Sequence, residues 1–122
     1  MEWGIKKELS FSRIKVDIKQ IGEDYCIELQ GGDRPHIGSA VLAVPRPSLT
    51  GSGEISVTSS VLNITGHKDE QICRYLAEQT AKYKNAVVIC TGGFHVDNIT
   101  REQLQEVQVC IESIWKEIKE KL

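Results

Sequence analysis

Short segments with strand patterning, separated by Gly, Pro and Ser-rich turns, fill the first 64 residues, and the remaining half changes period abruptly. That order admits few folds. From Leu9 to Lys19 the residues Leu9, Phe11, Ile14, Val16 and Ile18 mostly alternate with polar ones, with one irregularity near Ser12 and Arg13. A turn at Gly22 leads to a second strand, Tyr25 to Leu29, ended by Gly31-Gly32-Asp33-Arg34-Pro35. The third runs from Ile37 to Val44 and is expected to stop at Pro45 and Pro47. After a Ser, Thr and Gly-rich loop from Ser48 to Gly53, Glu54 to Ile64 reads as the fourth.

Between His67 and Lys84 the period becomes helical, with Ile72, Leu76 and Tyr83 on one face and Asp69-Glu70 in the first turn, where acids suit the helix dipole. The continuous run Ala86-Val87-Val88-Ile89-Cys90 predicts a fifth strand, the most buried, either covered on both faces or central in the sheet. Thr100-Arg101-Glu102-Gln103 is a capping box, and Ile99 and Leu104 are spaced for a hydrophobic staple. Leu104, Val107, Ile111, Ile114 or Trp115, Ile118 and Leu122 then form a long amphipathic stripe. The expected fold is α+β: a mostly antiparallel five-stranded sheet in the order ββββαβα, with two helices packed on one face.

At 122 residues the chain fits one domain large enough to fold without disulfides or a structural metal. Fifteen basic against seventeen acidic residues leave no excess of positive charge for a phosphate backbone, so nucleic acid is a poor partner. The longest apolar runs, Ala40 to Val44 and Ala86 to Cys90, are too short to span a bilayer, and the charged N-terminus has no signal-peptide core. A cytoplasmic location follows as an expectation. Cys26, Cys73, Cys90 and Cys110 lack C-x-x-C spacing and read as structural thiols, while the sequons at Asn63 and Asn98 read as chance matches.

In a meander, the second and fourth strands end at the same edge of the sheet, and a helical crossover brings the fifth strand's end there too. Three loops therefore converge: Gly31 to Gly38, Gly66 to Asp69, and Thr91 to Asp97. They hold all three histidines, His36, His67 and His95, and five of the ten glycines even with Gly38 set aside. Glycines let backbone N–H groups approach an anion, and His67-Lys68 at a helix start adds charge and dipole. The alternative is that the glycines only make tight turns and each histidine fastens its own loop. Three imidazoles meeting could also hold a metal, although separations of 31 and 28 residues match no local zinc pattern. There is no G-x-S-x-G elbow, no phosphate-binding P-loop and no G-x-G-x-x-G fingerprint. The acids at this edge, Asp33, Asp69 and Asp97, suit turns and a helix start as well as catalysis.

Gly31-Gly32-x-x-Pro35-His36-Ile37-Gly38, with Gly66-His67-Lys68 and Phe94-His95-Val96-Asp97-Asn98-Ile99-Thr100, resembles the small accessory subunit of gallate-type hydroxyaryl decarboxylases. That family is described as prenylated flavin chaperones, similar in fold to proteasome assembly chaperones. The resemblance extends from about the second strand to the start of the last helix. It implies a homodimeric chaperone that binds prenylated FMN and delivers it to a UbiD-type decarboxylase, with a flavin prenyltransferase as a further partner. Enzyme status stays open, because oxidative maturation of the flavin and transfer of a finished cofactor leave the same trace in the sequence. On this resemblance Gly66, His67 and Lys68 are candidates for the phosphate, Ile37 and Phe94 for the ring wall, and His36 and His95 for its polar edge. Gly31, Gly32, Gly38, Gly92 and Gly93 complete the candidate pocket. The rival reading is an assembly scaffold without cofactor.

Overall fold

The computed structural model of the chain describes residues 1–64 and 67–122, the side chains of His67 and Lys68 excepted. Its elements run β1 (Glu2–Glu8), β2 (Arg13–Ile21), β3 (Asp24–Gly32), β4 (Ser39–Pro47), β5 (Ile55–Asn63), α1 (His67–Lys84), β6 (Val88–His95) and α2 (Arg101–Lys121). One six-stranded sheet has the order β1-β2-β3-β6-β4-β5, mostly antiparallel, with β3 and β6 parallel.

The fold is thus α+β as expected, with one strand more. The irregularity near Ser12 is a turn, in which the Leu9 N–H donates to the Ser12 carbonyl at 2.8 Å. It separates β2 from an N-terminal strand whose only buried residue is Ile5. A second difference concerns pairing. The expected antiparallel hairpin of β3 with β4 is not formed, because β6 lies between them, parallel to β3 and antiparallel to β4. The apolar run Val88-Ile89-Cys90 thereby gains a neighbour on each side, as a central strand requires. Strand β4 also continues through Pro45 to Pro47 instead of stopping. Its pairing with β6 ends at Ala43, so beyond that point only β5 pairs with it and one side of the ladder needs no N–H donors.

Both helices cover one face. The core joins Ile14, Val16, Ile18, Ile27, Leu29, Val41 and Val88 of the sheet to Ile72, Leu76 and Ala77 of α1 and to Ile111, Ile114 and Ile118 of α2. Thr100 caps α2 as the capping box predicts: its Oγ1 accepts from the Gln103 N–H at 3.1 Å, and Gln103 Oε1 accepts from the Thr100 N–H at 2.9 Å. The apolar stripe of α2 is consumed within the chain, since Val107, Ile111, Ile114, Trp115 and Ile118 are all buried. Tyr83, expected on the inner face of α1, is instead half exposed, edge-on to Trp115 and beneath Lys119.

Candidate functional site

Strands β3, β5 and β6 point the same way, so their C-terminal ends meet at one edge, although through a different pairing from a meander. Because β3 and β4 flank β6, the chain from Asp33 to Gly38 must cross over the end of β6. Two backbone bonds fasten that crossing: Asp33 N–H to the His95 carbonyl at 2.8 Å, and Gly38 N–H to the Gly92 carbonyl at 2.9 Å. The crossing brings His36 to His95, with ring centroids 6.0 Å apart and planes nearly perpendicular. The β1–β2 turn reaches the same edge, where Phe11 meets Phe94 edge-on at 6.0 Å.

The two histidines have different anchors. His36 Nδ1 lies 3.1 Å from the Arg34 carbonyl and Nε2 3.1 Å from Asp69 Oδ2. Both partners accept only, so the geometry suits a ring that donates from both nitrogens. Asp69, in the first turn of α1, is buried, and its Oδ1 accepts the Phe94 N–H at 2.8 Å. This carboxylate joins the crossing loop, β6 and α1 in one network. In the sequence it reads equally well as a helix-start residue, and acids are so common there that position alone gives no signal. His95 Nε2, by contrast, sits 2.8 Å from Asp97 Oδ1 and 3.0 Å from Arg34 Nη2. Arginine only donates and carboxylate only accepts, so this nitrogen serves one of them at a time. Arg34 also pairs with Asp97 directly at 2.8 Å. The bond from His95, and then the charge of Arg34, hold the Asp97 carboxyl below the ordinary carboxylate range.

The candidate glycines are needed to accommodate protein atoms. A Cβ at Gly38 would collide with the Asp69 carboxylate, and one at Gly93 would stand 3.0 Å from Asp69 Oδ2 and 3.1 Å from His36 Nε2. Gly32, at φ +83°, lies against the His95 backbone, and Gly31 leaves room for the Phe94 ring. Gly92 presses on the Leu29 backbone across the β3–β6 pair. Ile37 is exposed and Phe94 half-buried. Gly66 and the side chains of His67 and Lys68 lie outside the described residues, so the expected meeting of three histidines is described for two of them. Among the described residues, no three His, Cys, Asp or Glu side chains are grouped to hold a metal ion.

Two cavities adjoin the histidine pair. One, of about 240 Å³, is bounded by Glu28, Gln30, Pro35, His36 and Thr91. The other, of about 860 Å³, is a cleft with Ile72, Phe94, Ile99, Leu104 and Val107 along it and Asp69, His95 and Asp97 at its polar margin. Its size is that of a small-molecule site, and its mixture of apolar wall and few polar groups suits a planar cofactor. The α2 side of this cleft has no signature in the sequence, because Leu104 and Val107 fit the core stripe equally well.

A six-stranded sheet with two helices on one face defines an assembly-chaperone-like fold. A chain in the crystal structure of a novel chaperone complex for yeast 20S proteasome assembly matches with a TM-score of 0.61 at 14% identity, covering 99% of this chain and 98% of that one. No curated protein matches the sequence. The chain belongs to the family of prenylated flavin chaperone LpdD-like domains, whose model matches residues 10–122. No helix among the described residues is long and apolar enough to cross a membrane.

Proposed function

We propose that this protein binds prenylated FMN at the edge where β3, β5 and β6 end, and hands it to a UbiD-type decarboxylase in the cytoplasm. The observation that carries this reading is the 860 Å³ cleft opening beside His95, Phe94 and the buried Asp69 in a chain of this family. The donor set fits a flavin. Apolar side chains supply a wall for the ring, and His95 stands at the polar margin of the cleft, with His36 beside it on the smaller cavity. When bound, the cofactor supplies the chemistry that the decarboxylase uses; this chain's residues hold and orient it. Asp69 fixes His36, and the Arg34–Asp97 pair flanks His95, so both imidazoles are positioned before a ligand arrives.

The test is co-expression with a flavin prenyltransferase followed by anaerobic purification. Retention of a flavin chromophore, and restoration of activity when the complex is mixed with a cofactor-free decarboxylase, is the expected result. A colourless protein that restores nothing would overturn the reading in favour of a scaffold without cofactor.

The homodimer that the resemblance implies rests, in this proposal, on the uncovered face of the sheet. With the α2 stripe buried, the exposed apolar side chains near the end of the sheet are Leu42, Val44 and Leu62 on the uncovered face, with Ile37 and Ile64 beside them. A symmetric dimer presents the same patch from each copy, and apolar side chains are compatible with their own copies, with Arg46 at the border of the patch held by Thr58. Sedimentation at micromolar concentration should give a dimer that Leu42→Lys converts to monomer. A monomeric parent protein would remove this part of the proposal.

A further inference from the structure

We propose that Arg101 takes the phosphate of the bound flavin, with the ring system in the cleft between α1 and α2 and its imide edge facing Gln105 and Gln108. The inference rests on the flavin-carrier reading and relocates the anion site from the start of α1 to the first turns of α2.

Charge decides the position. The carboxylates bordering the cleft, Asp69 and Asp97, belong to the histidine network, and a phosphate beside either would meet a like charge. Arg34 at that margin is already engaged by Asp97 and His95. Arg101 also borders the cleft but has no ion-pair or hydrogen-bond partner among the described residues, and its side chain is exposed. It is the one arginine or lysine among the cleft's described residues, and a guanidinium matches phosphate oxygens in a fork.

The rest of the α2 wall fits the other parts of a flavin. Gln105 and Gln108 follow Arg101 at i+4 and i+7, so all three lie on one helix face, with Leu104 beside them. Neither glutamine has a hydrogen-bond partner among the described residues, and Gln71 on α1 borders the same cleft in the same condition. A side-chain amide offers both a donor and an acceptor, the complement of the alternating N–H and C=O groups along an isoalloxazine imide edge. Ile72, Phe94 and Val107 leave an apolar floor for the fused rings. Nothing in the folding of α2 requires these polar groups, since its cap is completed by Thr100 and Gln103 and its buried face begins at Val107.

The experiment compares anaerobic titrations of the whole protein with reduced prenylated FMN and with the same compound lacking its phosphate. The unaltered chain should prefer the phosphorylated form. Arg101→Gln should weaken binding of that form by about tenfold or more, the loss of one charge-assisted hydrogen bond, and leave the dephosphorylated form unchanged, so that the preference disappears. A melting temperature matching the parent protein confirms that the fold is intact. Lys68→Gln, run in parallel, should retain the preference. If the parent chain binds neither compound, the carrier reading fails. If it binds, but the preference survives Arg101→Gln or disappears in Lys68→Gln alone, the Arg101 assignment is wrong and the carrier reading stands.

Discussion

The two faces of the sheet are built from the same strands and have opposite characters. On the helix-covered face, Ile14, Val16 and Ile18 of β2 and Ile27 and Leu29 of β3 are almost completely buried. On the open face the intervening positions of β2 are Lys15, Asp17 and Lys19, whereas those of β4 are Ala40, Leu42, Val44 and Arg46 and those of β5 include Thr58, Ser60 and Leu62. The open face is therefore divided: charged beside β1, and largely apolar or hydroxyl-bearing beside β5, where Arg46 is the one charged side chain of β4 and β5. Alternation reports that a strand has two faces, but it does not report whether the second meets water or another molecule.

The largest effect that can test this comparison is truncation in the covered face. Ile111→Ala removes most of a fully buried side chain, where collapse around the cavity is incomplete, and should cost about 2–5 kcal/mol in urea denaturation. Leu42→Ala, on the open face, should cost no more than about 0.5 kcal/mol if that face meets only water. A larger loss at Leu42 that grows with protein concentration would instead indicate a second copy covering it, because association adds to apparent stability by mass action.

The next effect lies where the two faces meet. Asp69→Ala leaves the Phe94 N–H and the His36 ring without their acceptor, and the unmet buried donors should cost about 1–3 kcal/mol. Asp69→Asn keeps an oxygen for Phe94 and should cost less. Gly38→Ala should approach the loss of Asp69→Ala, since the new methyl group collides with that carboxylate. Combining Gly38→Ala with Asp69→Ala should give much less than the sum of the two, and additivity in the double mutant would show that the glycine is required for another reason.

The same network marks where sequence reasoning succeeds and fails. The helices, the α2 cap, the buried run of β6 and the shared edge were legible, because periodicity and capping chemistry are local. Strand β1 was not, since Glu2–Glu8 buries one residue and leaves little alternation to detect. Partner choice was not legible either: a connection of six residues from Asp33 to Gly38 can close a hairpin or step over one strand, and only the need of β6 for two neighbours decides it. The convergence of His36 on His95 does not depend on that choice, because both topologies end at the same edge. The role of Asp69 was hidden because burial, the property that distinguishes it from an ordinary first-turn acid, depends on the loop crossing above it.

The smallest effect concerns the exposed half of the histidine pair, the counterpart of the buried Asp69. Asp97 is held below the ordinary carboxylate range first by the hydrogen bond from His95 and then by Arg34. A carboxyl whose pKa is lower in the folded than in the unfolded chain favours folding at any pH above its unfolded value. That contribution fades as the pH falls through the folded value. Asp97 is surrounded by water, so solvent screens the pair and Arg34→Ala should leave the melting temperature at neutral pH nearly unchanged. The microscopic titration is the more sensitive measurement. Following the Asp97 carboxyl carbon by NMR, the midpoint should rise in His95→Ala and rise by a smaller amount in Arg34→Ala, matching the order of the two causes. An unchanged midpoint in His95→Ala would show that His95 does not donate to Asp97 in solution. The ring nitrogen would then be left to accept from Arg34, and the polar margin of the cleft would present a different tautomer to its ligand.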